Sequence, residues 1–329
     1  MSKPLVDSYQ RPIRYLRISV TDRCNLRCQY CMPAEGIPLL AHNDILRYEE
    51  ITRFVRIAAQ LGIVRIRLTG GEPLARKGLA ELVRQIAAIP AIEDLSLTTN
   101  GTLLAAQAAE LAASGLQRVN ISLDSLRAEC YRQITRGGRM EDALAGITAA
   151  RSAGLSPIKI NMVVVRGLND DELVEFARCS LEKGWHVRFI EMMPIGEGAR
   201  QPEGEFIAAD EMRQVIEASF GPLLPDALFG NGPARYWRIP GAGGTIGFIS
   251  ALSQHFCPQC NRLRLSADGR LMPCLFSPLE YDVRSPLRSG ASDAELAGLL
   301  RNAVQYKPIG HHLGQEPAPA GRVMSRTGG

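Results

Sequence analysis

Between Arg14 and Glu191, short apolar runs alternate with longer segments whose apolar residues recur at helical spacing. The runs Tyr15–Val20, Ile63–Thr69, Asp94–Thr99, Arg118–Asp124, Ile158–Val165 and His186–Glu191 are rich in Ile, Val, Leu and Thr. Short runs of this kind read as strands covered on both faces, as in a parallel sheet. Between them, Tyr48–Leu61 places Ile51, Phe54, Val55 and Ala58 on one stripe, the pattern of a helix with one face on a core. Asp170–Lys183 does the same with Leu173, Phe176, Ala177 and Leu181. Asn169 and Glu172 predict a capping box at the start of that helix, and Gly184 a left-handed residue just past its end.

Six β-α units in series predict an α/β fold with a parallel sheet, either a barrel or a doubly wound sheet. In both, chemistry gathers at the C-terminal ends of the strands. Cys24 follows the first strand, Gly70-Gly71-Glu72 the second, Thr99-Asn100 the third, Asp124-Ser125 the fourth and Met192-Met193 the sixth. After Phe220 the alternation stops, and Gly221, Pro222, Pro225, Gly230, Gly232 and Pro233 form a loop-rich boundary. Hairpins follow, around Pro240–Gly244 and Asp268-Gly269, and then a helix over Asp293–Val304. The expected division is 1–229 for the β-α part and 230–329 for the remainder.

Composition adds limits. The 329 residues suffice for about two domains, and 46% apolar with 22% charged residues excludes wholesale disorder. Without an 18-residue apolar run there is no spanning-helix signal, and Met1 to Arg17 is too polar for a signal peptide. A cytoplasmic protein is expected, and eight cysteines in a reducing compartment point to metal or chemistry rather than disulfides. The net charge of +4 is small and evenly spread, which argues against nucleic acid as a partner. Only five of the 38 basic residues are lysines; arginine is the better fork for phosphate.

Six cysteines fall into two triplets. Cys24, Cys28 and Cys31 form C-x3-C-x2-C, and three thiolates on one tight loop can hold three irons of a [4Fe–4S] cluster, leaving the fourth open. Cys257, Cys260 and Cys274 form C-x2-C-x13-C. From spacing alone, zinc and iron–sulfur are equally good readings of this second set.

The segment Cys24-Asn25-Leu26-Arg27-Cys28-Gln29-Tyr30-Cys31, with Gly70-Gly71-Glu72-Pro73, resembles the signature of the radical S-adenosylmethionine enzymes. Phe256-Cys257-Pro258-Gln259-Cys260-Asn261-Arg262-Leu263-Arg264-Leu265, Asp268-Gly269 and Cys274-Leu275-Phe276 resemble, within that superfamily, the GTP 3′,8-cyclases of molybdenum-cofactor synthesis. The resemblance runs over essentially the whole chain, including Gly328-Gly329. It implies a partial (β/α)6 TIM-like barrel with a C-terminal cluster-binding domain closing its mouth, and two [4Fe–4S] clusters. The first cluster would bind S-adenosylmethionine, with Tyr30, Gly71, Ser122 and Met193 at that cofactor. The second, on Cys257, Cys260 and Cys274, would bind GTP, helped by Arg17, Arg67, Thr98, Lys159, Arg262, Leu263 and Arg264.

The implied reaction uses a 5′-deoxyadenosyl radical to take H3′ from GTP, giving (8S)-3′,8-cyclo-7,8-dihydroguanosine 5′-triphosphate. An external electron donor is required, and the product passes to the cyclic pyranopterin monophosphate synthase. A glycine tail, Gly328-Gly329, would reach into the site. The chain is expected to act as a homodimer or monomer, without a membrane partner. Two competing readings are a peptide-modifying radical enzyme with an auxiliary cluster and a non-catalytic zinc protein.

Overall fold

The computed structural model describes residues 5–200, 203–228, 230, 232–311 and 324–328, with backbone alone at 200 and 203. Six parallel strands form its centre: β1 (Tyr15–Ser19), β2 (Arg65–Thr69), β3 (Asp94–Thr99), β4 (Arg118–Ser122), β5 (Lys159–Val164) and β6 (His186–Glu191). Each matches one of the apolar runs. Six more follow: β7 (Leu224–Asp226), β8 (Arg235–Arg238), β9 (Ile246–Ile249), β10 (Arg262–Leu265), β11 (Arg270–Met272) and β12 (Tyr281–Asp282). All twelve join one sheet in the order β12-β11-β10-β1-β2-β3-β4-β5-β6-β9-β8-β7.

The strands are less uniformly apolar than the sequence pattern suggests. Along β1, Leu16 and Ile18 belong to the hydrophobic core while Arg17 lines a cavity; along β2, Ile66 and Leu68 do so while Arg67 faces the same cavity. Alternate residues of a strand point to opposite faces, so one face meets the helices and the other is polar. That helical layer includes Tyr48–Gln60, whose Ile51, Phe54, Val55 and Ala58 are fully buried in the same core.

Side chains from β1 to β6 all reach one cavity, so the sheet curls around its polar face as a partial (β/α)6 barrel. The curl is not sealed by β1 pairing with β6. Instead β10 adds parallel to β1, and β9 adds parallel to β6. The hairpins β8–β9 and β10–β11 are antiparallel, turning where the Gly-rich and Asp268-Gly269 signals stand. The late helix spans Asp293–Gln305 behind a Ser292/Glu295 capping box.

One local expectation fails. Asn169 does not cap the helix Leu173–Glu182. Its amide donates to the carbonyls of Asp124 and Val163 and accepts from the Val165 N–H, while buried Glu172 accepts from Ser125 and the Leu126 N–H. Asn169 ties the ends of β4 and β5 together instead, and Glu172 anchors the loop after β4. Gly184 is left-handed at φ +65°, as the helix end requires. No helix among the described residues is long and apolar enough to cross a membrane.

Candidate active site

The cavity measures about 280 Å³, and all six triplet cysteines line it. The first triplet sits on the loop after β1. Its base is stitched to the loop after β2: the Gly71 N–H donates to Thr21 O and the Glu72 N–H to Arg23 O, each at 2.8 Å. A Cβ on Gly71 would lie 2.4 Å from Arg23 O, so only glycine permits this approach. Glu72 is fully buried and accepts from the Leu74 and Asn100 N–H groups and from Thr99 Oγ1. Burial raises its pKa to about 7 against those hydrogen bonds. Asn100 in turn donates to Asn25, inside the first triplet.

Tyr30 donates from its hydroxyl to Asp124 Oδ2 at 2.7 Å, and Asp124 Oδ1 accepts from the Val163 N–H. The ring next to Cys31 is thereby clamped to the end of β4. Burial, reinforced by Asp124, pushes the Cys28 thiol well up, and burial with Cys24 and Asp124 pushes Cys31 to about 12. Gly71, Ser122 and Met193 stand on the same wall.

The second triplet is built differently. Cys257 opens a single 3-10 turn over Cys257–Gln259, Cys260 closes it, and Cys274 returns at the end of β11. Burial would raise Cys260, but Arg262 and Lys307 outweigh it and bring the thiol down to about 6. One triplet thus faces carboxylates and the other faces cations.

The cavity wall also carries a row of arginines. In sheet register Arg264 lies beside Arg17, and Arg17 beside Arg67; their exposures are 8%, 8% and 4%. Burial lowers Arg67 to about 10, as it does Arg264. Below this row Arg118 is locked in a bidentate pair with Asp94. Like charges buried side by side are costly unless an anion joins them, so the row gives this wall of the cavity a concentrated positive charge. Thr98 Oγ1, Arg67 Nη2 and Asn161 Oδ1 are buried without a hydrogen-bond partner among the described residues.

The donor set fits clusters: each triplet offers three free thiols to the cavity, enough for three irons of a four-iron cluster with the fourth left open.

A GTP 3′,8-cyclase from Pelotomaculum thermopropionicum is 52% identical over 324 residues, 98% of this chain and 99% of its own length. The enzyme of the same name from Heliobacterium modesticaldum is 52% identical over 332 residues, covering 99% of this chain and 100% of that one. The chain belongs to the GTP 3′,8-cyclase family. The radical SAM superfamily model matches residues 18–179, and that for Molybdenum Cofactor Synthesis C matches 185–313. Among solved structures, Streptococcus suis SuiB bound to the precursor peptide SuiA superposes with a TM-score of 0.64 at 14% identity. It covers 92% of this chain and 67% of that one, a likeness of fold.

Within this family member, the cavity gathers the six cysteines, Tyr30, Gly71, Ser122, Met193, Arg17, Arg67, Thr98, Arg262 and Arg264. Leu263 does not bring its side chain to the cavity. It is fully buried in the hydrophobic core because the strand turns it away from Arg262 and Arg264. Lys159 is not on the cavity wall. It heads β5 one layer deeper, with its Nζ 5.5 Å from the Tyr236 ring centroid and Gly230 packed over it.

Gly328 is held by Arg264, and Gly329 lies outside the described residues. Sequence reasoning missed Arg188, Asn161, Asp124 as the partner of Tyr30, and Lys307, all on the cavity wall. A polar residue inside a strand was the available signal for Arg188 and Asn161. Cys130 and Cys179 lie elsewhere: Cys130 donates to Leu168 O, and Cys179 sits in the core.

Proposed function

We propose that this chain is a radical S-adenosylmethionine cyclase converting GTP to (8S)-3′,8-cyclo-7,8-dihydroguanosine 5′-triphosphate, the first step of molybdenum-cofactor synthesis. The observation that carries the reading is the row Arg264–Arg17–Arg67, which faces the same cavity as both cysteine triplets. Cys24, Cys28 and Cys31 would hold one [4Fe–4S] cluster and Cys257, Cys260 and Cys274 the other. When bound, the first cluster with S-adenosylmethionine supplies a 5′-deoxyadenosyl radical able to take H3′ from the ribose.

The protein's own groups position the reactants. Tyr30, held by Asp124, offers a ring face to adenine, with Ser122 and Met193 beside it. The Gly71 backbone, which no Cβ obstructs, suits the methionine amino group. Arg17, Arg67 and Arg264 take the triphosphate, with Thr98, Arg262 and the newly recognised Arg188 around it. Fixed donors of this kind hold C3′ and C8 of one nucleotide close enough for bond formation. Residues 1–229 would form the radical SAM partial barrel and 230–329 the C-terminal cluster- and substrate-binding part; the two family matches also divide the chain in two, with the change between residues 179 and 185. A reducing cytoplasm suits thiols that would ligate iron rather than pair as disulfides.

The test is anaerobic reconstitution followed by incubation with dithionite, S-adenosylmethionine and GTP. Formation of 5′-deoxyadenosine together with a cyclised GTP is expected. A chain that binds about eight irons (two four-iron clusters) yet yields neither product overturns the proposal.

A further inference from the structure

Lys307 follows the helix Asp293–Gln305, far in sequence from the cysteines, and is 2% exposed. Its ammonium donates to Arg262 O at 2.8 Å and to Pro273 O at 2.6 Å. The first carbonyl lies two residues after Cys260, and the second immediately before Cys274. One side chain therefore bridges the two stretches of backbone that deliver those thiols, and it also borders the cavity.

After burial, the strongest electrostatic influences on Lys307 come from Cys260, Cys274, Arg262 and Arg11. Arg11 has its own counter-ion, Asp7, at 2.6 Å, and grips the carbonyls of Cys257, Pro308 and Ile309. Arg262 is a cation as well. Among these groups the only anions that can face the buried Lys307 are the thiolates of the second triplet. Buried charge is costly unless it is offset, and beyond its two carbonyl partners the ammonium is favoured by Cys260 and Cys274. The first triplet has the opposite surround, with Asp124 and Glu72 near its sulfurs.

We propose that Lys307 is the positioning cation of the second cysteine triplet, bracing its two arms through Arg262 O and Pro273 O and making the cluster held there easier to reduce. The inference rests on the reading of that triplet as a cluster site. Net charge near a cluster is one of the levers that set its potential, and a cation favours the reduced, more negative state. The neighbouring segment supports the same assembly: a Cβ on Gly310 would lie 3.8 Å from Cys257 Sγ, and the His311 ring meets Ala251 O at 2.8 Å.

The experiment uses the full chain, reconstituted anaerobically as wild type, Lys307→Met and Lys307→Arg, with iron counted and reduction followed by electron paramagnetic resonance during a dithionite titration. The second cluster is identified by the signal that GTP perturbs and S-adenosylmethionine does not. If the wild type lacks a second cluster, with about four irons per chain, the underlying reading fails, independently of Lys307.

With both clusters present, Lys307→Met is expected to lower the second midpoint by at least a tenfold change in the one-electron equilibrium, about 59 mV. The first midpoint stays in place, and Lys307→Arg returns the second towards the wild-type value. An unchanged second midpoint in Lys307→Met overturns the proposal. Should Lys307→Met lose the second cluster, Lys307→Arg decides. Full iron with a wild-type midpoint upholds the cation's role, and loss of the cluster there too overturns it.

Discussion

Arg264 donates from its guanidinium to the backbone carbonyl of Gly328. The same arginine stands beside Arg17 in the cationic row, so the segment 324–328 is anchored on a residue proposed to meet the substrate. The contact is reinforced by the Ala267 N–H, which donates to Arg326 O, and by Arg326, which donates to Pro38 O at 2.6 Å.

Gly328→Ala tests that anchor. Gly328 is left-handed at φ +73°, and an added Cβ would lie 2.2 Å from Thr69 Cγ2. Backbone strain of this kind costs on the order of 1–3 kcal/mol. A five- to hundredfold loss of GTP turnover is expected, with iron content and spectra of both clusters unchanged. Kinetics alongside iron analysis decide it; normal turnover would show that the segment does not organise the site.

Arg67→Met should weaken the grip on the triphosphate. Hydrogen bonds to charged groups are worth about 1.5–3 kcal/mol, so KM for GTP should rise about ten- to a hundredfold while KM for S-adenosylmethionine stays constant. The two substrates must be varied separately. Equal changes in both would place Arg67 in the scaffold rather than at the phosphate.

Lys159 predicts proton uptake on binding. Burial, then Arg188, Arg118 and Arg67, bring its pKa down to about 6, so near neutral pH the amine is mostly uncharged. A triphosphate bound in the layer above adds negative charge and draws a proton onto it. Calorimetry at pH 7.5 in buffers of different ionisation enthalpy should record uptake approaching one proton, with affinity falling as pH rises. Lys159→Met should abolish the uptake; uptake that persists would assign it to another group.

Glu72 predicts a pH-dependent stability of the metal-free chain. Its folded pKa of about 7 lies above the ordinary 4.5, so the native state keeps the proton longer than the unfolded chain does. Its stabilising contribution is fullest below pH 4.5 and declines as pH rises towards 7, by about 3 kcal/mol in all. Urea titrations across that range should show the decline, and Glu72→Gln should flatten it. An unaltered slope in Glu72→Gln would refute the assignment.

Cys28→Ser should remove the first cluster alone. Iron is expected to fall from about eight to about four per chain, with S-adenosylmethionine cleavage abolished. Cleavage that survives the substitution would refute the role of the first triplet.

The six central strands, the helix Tyr48–Gln60, both hairpins and the two cysteine triplets were legible in the sequence because each is a local pattern, whereas the short edge strands β7 and β12 were not. Ile51, Phe54, Val55 and Ala58 need no distant partner to announce a helix face, and Cys24, Cys28 and Cys31 share one loop. What those patterns could not convey was which face of each strand turns inward. Leu263 and Arg264 are neighbours in the chain, yet the strand sends one into the core and the other into the cavity.

The same limit hid the row Arg264–Arg17–Arg67, whose members come from three strands and meet only through sheet register. It also hid Asp124 beneath Tyr30 and Lys307 across the second triplet, since hydrogen bonds over 94 and 45 residues leave no periodic trace. Asn169 and Glu172 show the reverse error. Their spacing satisfied a local rule, but tertiary partners at the ends of β4 and β5 took their hydrogen bonds. Sequence by itself determined the elements, the family resemblance and the cysteine sets, because covalent spacing and short-range periodicity are written along the chain. Which charges share a cavity, and which cations face which thiolates, was decided only by the curl of the sheet.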